Sequence, residues 1–241
     1  MRFEILSLFP ESFHSYLSVS ILKRAQEMGQ VEIVTHNPRD FTFDRHKTVD
    51  DTPYGGGAGM VMKVEPFALC LAALHEKDGD QYQAERTRTI LFSAKGKRFT
   101  QGDARRFAER YDRLIFLCGR YEGVDERVAE NLVDEEISIG DFVLTGGELP
   151  ALIVTDAVTR LLPGVLGNEE SASTESYSEE GFVEYPQYTK PECFGDWCVP
   201  KVLLSGHHEA IEAWRKEQSI LMSQKRKKTL DSEIASTGYE N

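Results

Sequence analysis

Residues 114–163, LIFLCGRYEGVDERVAENLVDEEISIGDFVLTGGELPALIVTDAVTRLLP, decide the fold. The stretch opens with an apolar run, Leu114 to Leu117, short enough for a strand buried on both faces. The run ends in Cys118-Gly119, and a polar turn follows. Two further glycine-bearing turns come later, Ser138-Ile139-Gly140-Asp141 and Thr145-Gly146-Gly147-Glu148. Glycine has no Cβ and tolerates positive φ, so main-chain N–H and C=O groups in such turns can converge on a small ligand. The last turn leads into a helix whose Val154, Ala157, Val158 and Leu161 follow i, i+3, i+4, i+7. Pro150 falls in its first turn, where a missing N–H costs nothing, and Pro163 marks its end.

Outward from this stretch, Arg2 to Leu8 reads as a strand. A helix is expected from Glu11 to Met28, with Phe13, Leu17, Ile21 and Leu22 on its apolar face and Gly29 after its end. Val31 to Thr35 alternates as a second strand. Further helices are expected over 65–76 and from Thr100 through Glu109. A strand over Thr89 to Ser93 ends in Ala94-Lys95-Gly96. Strands alternating with helices imply an α/β fold with a parallel sheet covered on both faces. Ligands in such sheets sit beyond the carboxyl ends of the strands. Ser93 to Gly96, Gly119 to Gly123, Ser138 to Asp141 and Thr145 to Gly147 all fall there. The stretch Asn37 to Lys63 is too long for a mere connector. It holds Pro53-Tyr54-Gly55-Gly56-Gly57-Ala58-Gly59-Met60, which is neither a P-loop nor a GxGxxG turn after a strand. It reads either as a flexible tight turn or as a surface of backbone amides on which a nucleotide lies flat. In the second case Asp50, Asp51 and Tyr54 read base edges or stack on a base.

The 241 residues suggest one large or two modest domains, and 40% hydrophobic content can build a core. No run approaches the length of a membrane span, and the start has no signal layout. Four scattered cysteines, Cys70, Cys118, Cys193 and Cys198, form no CxxC pair and point to free thiols in a reducing cytoplasm. The net charge of −12 argues against nucleic acid, but its distribution does not. Residues 86–120 hold ten bases and three acids, and residues 215–228 hold six bases and one acid. Between them, residues 121–148 hold nine acids and one base, and residues 169–196 eight acids and one base. The two basic stretches suit either phosphate contacts or solvated helix faces. After Leu166 the composition shifts, and GNEESASTESYSEEG (167–181) is too polar to build a core. A helical terminal part follows, with Ser205 as N-cap, Ile211, Trp214 and Leu221 on one face, Lys225 to Lys228 near its end, and a frayed tail from Asp231. His207-His208-Glu209 is a poor metal set, because neighbours on a helix point in different directions.

Taken together, several motifs resemble the bacterial tRNA (guanine-N1)-methyltransferases that modify guanosine 37 beside the anticodon. They are Asp50 to Met60, Cys118-Gly119-Arg120-Tyr121-Glu122-Gly123, Ser138 to Asp141, Gly146-Gly147-Glu148-Leu149-Pro150, Leu162 to Asn168 and Tyr185-Pro186-Gln187-Tyr188-Thr189. The resemblance runs from the first strand to about residue 221.

It implies a SPOUT-type domain over 1–166 whose C-terminal portion forms a trefoil knot, against the general rarity of knots. The polar composition of 167–181 reads as a mobile linker, and the resemblance further implies a small helical tRNA-binding domain over 182–241 and a homodimer. S-adenosylmethionine is expected among the knot loops, against Phe92, Ser93, Gly119, Tyr121, Glu122, Ser138, Ile139, Gly140, Leu144, Gly146, Gly147 and Pro150. The guanosine to be methylated, preceded by another guanosine, is expected near Asp50, Tyr54, Gly55, Gly56, Gly57, Gly59 and Met60. Guanine N1 carries a proton at neutral pH, so a base must take it while charge develops towards O6. A carboxylate and an arginine suit those tasks. Arg160 matches the family's catalytic arginine. In place of the family's linker Asp-Ser-aromatic stands Glu175-Ser176-Tyr177, which makes Glu175 the expected base, with Glu169 and Glu170 as neighbours able to replace it. Glu122 is also a candidate to help bind a divalent cation such as magnesium. The competing reading is a non-catalytic RNA-binding protein on the same scaffold.

Overall fold

The computed structural model describes residues 1–79, 83–167, 175–178 and 181–237, without the side chains of 78, 230 and 233–237. The chain divides into two compact units, Met1–Gly167 and Asn168–Asn241.

The first unit is a mixed α/β structure around a central parallel sheet. Its strands are β1 (Arg2–Leu6), β2 (Glu32–His36), β5 (Thr87–Arg98), β6 (Arg113–Cys118) and β7 (Glu135–Ser138), in the spatial order β2-β1-β6-β5-β7. All four neighbouring pairs are parallel. Side chains alternate across a strand, and β6 shows why its whole run is apolar. Leu114, Phe116 and Cys118 enter one core with Phe3, Ile5 and Phe92, while Ile115 and Leu117 enter the other with Leu6 and Leu91. Helices α4 (Gln101–Arg110) and α6 (Glu148–Thr159) give Ala104, Phe107, Val154 and Val158 to the first core. Helices α3 (Val64–Asp78) and α5 (Glu126–Asn131) give Phe67, Cys70, Leu71 and Val128 to the second. Thr100 caps α4 through a capping box with Asp103.

Several expectations are corrected here. The single helix over Glu11 to Met28 is three pieces: a 3-10 turn Pro10–Phe13, α1 (His14–Leu17) and α2 (Ser20–Glu27). Val19 is extended and Ser20 has φ +53, so the hydrogen-bond ladder is interrupted between them. Phe13, Leu17 and Leu22 are buried, but Ile21 is exposed. The strand expected to stop at Ser93 runs on to Arg98. Phe92 and Lys97 both pair with Ile137, so residues between them form a bulge. Gly96 is required at its end, because a Cβ there would sit 2.5 Å from the Ile137 nitrogen. The long stretch after β2 closes as a hairpin, β3 (Asp50–Asp51) against β4 (Val61–Met62), with the glycines at its tip. Leu161 lies beyond the end of α6 rather than in it.

The second unit contains a two-residue ladder, β8 (Cys193–Phe194) with β9 (Trp197–Cys198), then α7 (Lys201–Leu204) and α8 (His208–Thr237). The expectation of four free thiols fails: Cys193 and Cys198 are disulfide-bonded, and only Cys70 and Cys118, both buried, are free. Gly195, at φ +60, turns the chain so that the two cysteines face each other across the ladder. Ser205 does not cap α8. The Ala210 N–H donates instead to His207 Nδ1 at 3.2 Å, and Ser205 Oγ accepts from the His207 N–H. The helix also continues past Asp231 to Thr237. Tyr188 packs near Trp214, and Arg215 lies over Tyr185 at 4.9 Å.

Candidate active site

The carboxyl ends of β5, β6 and β7 surround a cavity of about 420 Å³ in the first unit. Its walls are the β5 bulge, the loop after β6 and the two glycine turns after β7. A cavity of this size suits a nucleoside-sized ligand. Phe92, Ser93, Gly119, Tyr121, Glu122, Ser138, Ile139, Gly140, Leu144, Gly146, Gly147 and Pro150 all line it. The bulge also brings Lys95 to the wall, the loops after β6 and β7 bring Arg120 and Phe142, the start of α5 brings Glu126, and β7 itself brings Glu136.

Close backbone approach explains the glycines. The Gly147 N–H donates to the Gly119 carbonyl at 3.0 Å, so the loop after β7 presses on the loop after β6. A Cβ on Gly147 would meet Cys118 Cα at 2.7 Å, and one on Gly146 would meet Arg120 Nε at 2.4 Å. Ser138 closes its own turn, with Oγ donating to the Gly140 carbonyl at 3.0 Å and receiving the Gly140 N–H at 3.2 Å.

An ion pair locks these loops together. Arg120 lies 3.0 Å from the Glu148 carboxylate, donates to the Thr145 carbonyl and covers the Phe9 ring at 4.7 Å. Glu148 is buried at the start of α6 and accepts from Ser7 Oγ at 2.7 Å. A carboxylate in the first helical turn also faces the positive end of the helix dipole. Burial pushes the Cys118 thiol well up, and neighbouring Glu148 adds to that, so Cys118 stays a protonated core residue. At the rim, the Lys95 ammonium is raised by its hydrogen bonds to Glu126.

The glycine hairpin abuts this cavity. Glu122 N–H donates to the Met60 carbonyl at 3.0 Å, and Met62 N–H donates to the Gly123 carbonyl at 2.9 Å. Gly55, Gly56, Gly57 and Gly59 all have positive φ, which other residues rarely adopt. A Cβ on Gly59 would meet the Glu122 side chain at 2.5 Å. Tyr54 is fully exposed at the tip and Asp50 half-buried at the base. Tyr121, at φ +60, receives a hydrogen bond from Arg39 on its hydroxyl, which ties the rim to the segment after β2. The expected cofactor and guanosine residues thus form one contiguous surface.

The two expected catalytic residues belong to different units. Arg160 is the C-cap of α6 and half-buried. Glu175 lies in a turn of the second unit, its carbonyl accepting from Ser178 N–H. Glu169 and Glu170 lie outside the described residues. Among the described residues, no group of three or more His, Cys, Asp and Glu stands ready to hold a metal ion. The structural roles of Arg120 and Glu148 are not legible from spacing, although each is flanked by glycine. Lys95 lies at the ligand end of the sheet as expected, but the bulge that carries it leaves no periodic mark.

The model of the family tRNA (Guanine-1)-methyltransferase TrmD matches residues 1–233. A tRNA (guanine-N(1)-)-methyltransferase of Geotalea uraniireducens is 56% identical over 91% of this chain and 86% of its own length. Those of Carboxydothermus hydrogenoformans and Halalkalibacterium halodurans are each 51% identical over 95% of this chain, covering 87% and 91% of their own lengths.

Proposed function

The chain belongs to the tRNA (guanine-1)-methyltransferase family, and from that premise we propose that it methylates N1 of guanosine 37 in tRNA, where another guanosine precedes it, with S-adenosylmethionine as donor. The observation that carries this reading is the single cavity on which all twelve expected cofactor residues meet. Its cradle is narrow where Gly146 and Gly147 admit no side chain, and its walls offer backbone donors and acceptors suited to adenine edges.

When bound, S-adenosylmethionine supplies an electrophilic methyl carried on a sulfonium. The chain's residues do the rest. The glycine hairpin holds the guanine beside the cavity, with Tyr54 free to stack. Glu175 accepts the proton leaving N1, and the Arg160 guanidinium stabilises the negative charge that develops on O6. The described donors do not by themselves make a magnesium site, and no step here passes through one.

The reading extends to a SPOUT-type trefoil knot, supported by the close passage of the Gly147 turn against the Gly119 turn. It also includes a homodimer. Leu149 and Ile153 are exposed on α6, and with Arg160 they follow i, i+4, i+11 along one face. An apolar stripe leading to the catalytic arginine suits a second copy. No described helix is long and apolar enough to cross a membrane. A cytoplasmic location is part of the proposal, and the Cys193–Cys198 bridge is the feature at odds with it.

The test is methyl transfer to a tRNA transcript, compared with one carrying a different base at position 37. Transfer confined to the first supports the reading; labelled protein that binds tRNA and transfers nothing leaves the non-catalytic alternative. Replacing Glu175 with Gln is expected to slow single-turnover transfer by about 10²–10⁴, with calorimetric binding of S-adenosylmethionine unchanged.

A further inference from the structure

Within the second unit, the turn that carries Glu175 is tied down. Ser178 N–H donates to the Glu175 carbonyl at 3.0 Å, and Tyr177 N–H to the Phe182 carbonyl at 2.8 Å. Ser176 Oγ accepts from Glu184 N–H at 3.0 Å. These bonds fold residues 175–178 back onto residues 182–184. That folded piece is fastened to α8 at two points. Val183 N–H donates to Ser223 Oγ at 2.9 Å, and the Arg226 guanidinium lies over the Tyr177 ring at 5.2 Å. Ser223 and Arg226 are three residues apart and so share one face of the helix. Tyr177 itself sits at φ +65, a conformation a bulky residue keeps only where its surroundings hold it there.

We propose that Ser223 and Arg226 are positioning residues for methyl transfer: they dock the Glu175 turn on α8, so that this acid moves with the second unit. The inference rests on Glu175 being the base. Two weak interactions suit the task, since each restrains the turn without being needed for the helix. Arg226 also belongs to the exposed run Lys225 to Lys228, where phosphate contacts are expected. The helix that grips the nucleic acid would then also orient the acid.

Ser223→Ala is the sharpest test, because it removes an acceptor without changing charge and alanine favours a helix. Val183 and Glu184 amides are expected to exchange slowly in the wild-type protein and at least ~5-fold faster in the variant. Single-turnover transfer at saturating tRNA is expected to fall about 5–10-fold, the size of one lost hydrogen bond, while the tRNA Kd stays within about 2-fold. Ser223→Thr keeps the hydroxyl and is expected to restore the rate. The double variant S223A/E175Q is expected to be no slower than E175Q, since both act on one step. Fast exchange at Val183 in the wild-type protein, or an unchanged rate in S223A beside a slow E175Q, overturns the docking while leaving Glu175 as base. A wild-type rate in E175Q overturns both.

Discussion

The two basic stretches of this chain look alike in composition and have opposite surroundings. Between residues 86 and 120, at least eight of the ten cations have a carboxylate partner within the first unit. Arg86 meets Asp112, Arg88 and Arg106 meet Glu135, Lys97 meets Asp103, and Lys95 meets Glu126. Arg98 meets Asp141, Arg113 meets Glu4, and Arg120 meets Glu148. Most of those acids come from the neighbouring acidic stretch 121–148, so two blocks that look like separate surfaces cancel across β5, β6 and β7. In α8, by contrast, Lys225, Lys227 and Lys228 are exposed and have no carboxylate partner among the described residues. A run of charge is therefore a statement about a partner only after the fold has taken what it needs.

The largest expected effect lies inside the cancelled block. Arg106 holds Glu135 at 2.6 and 2.7 Å, reaches Asp103, and covers the Phe107 ring at 4.5 Å. Arg106→Ala should cost about 2–3 kcal/mol, because Glu135 is left partly buried with only Arg88. A melting curve should then drop by roughly 5–10 °C, and a drop under about 2 °C would erase the distinction between the two stretches. Replacing Lys225, Lys227 and Lys228 together with Ala should leave that melting curve alone. It should weaken tRNA binding about 10-fold and flatten the salt dependence by about one slope unit for each phosphate no longer neutralised. Stability loss without a binding change would invert the comparison.

Acid should discriminate as well. Burial works to raise Glu135, but hydrogen bonds from Arg106 and Arg88 outweigh it and hold the carboxyl below its usual range. Glu4 is likewise lowered on balance, burial being outweighed by its interactions with His36, Arg2 and Arg113. A depressed folded value stabilises above the unfolded value and is lost as pH falls through the folded one. The first unit should therefore lose stability progressively as pH drops below about 4, which chemical denaturation at stepped pH would read. In the R106A variant this acid dependence should be shallower. The smallest effect belongs to Arg86, whose pair with Asp112 is exposed on both sides. Arg86→Ala should leave the denaturant midpoint close to that of the wild-type protein, a far smaller change than in R106A.

Much of the candidate site is legible residue by residue, and the reason is local. Gly119, Gly140, Gly146 and Gly147 mark turns where a backbone must be bare, and a strand such as Leu114 to Leu117 can only be buried. The β5 bulge leaves no such trace, because Ser93 to Gly96 read equally well as a strand end. Glu126–Asn131 and Glu135–Ser138 are short and charged, so neither period stands out and neither element is legible in advance. The Cys193–Cys198 bridge depends on a reversal at Gly195 that spacing alone does not announce.

What the residues determined by themselves was the alternation of strands and helices, the ligand end of the sheet and the bare turns around it. These depend on side-chain period and on the absence of a Cβ, both local properties. Tertiary structure alone decided which charges cancel, that Arg120 and Glu148 clamp the cavity loops, and that the Glu175 turn rests on α8. Those depend on groups distant in the chain coming within hydrogen-bonding range, and electrostatic energy follows distance in space rather than order in sequence.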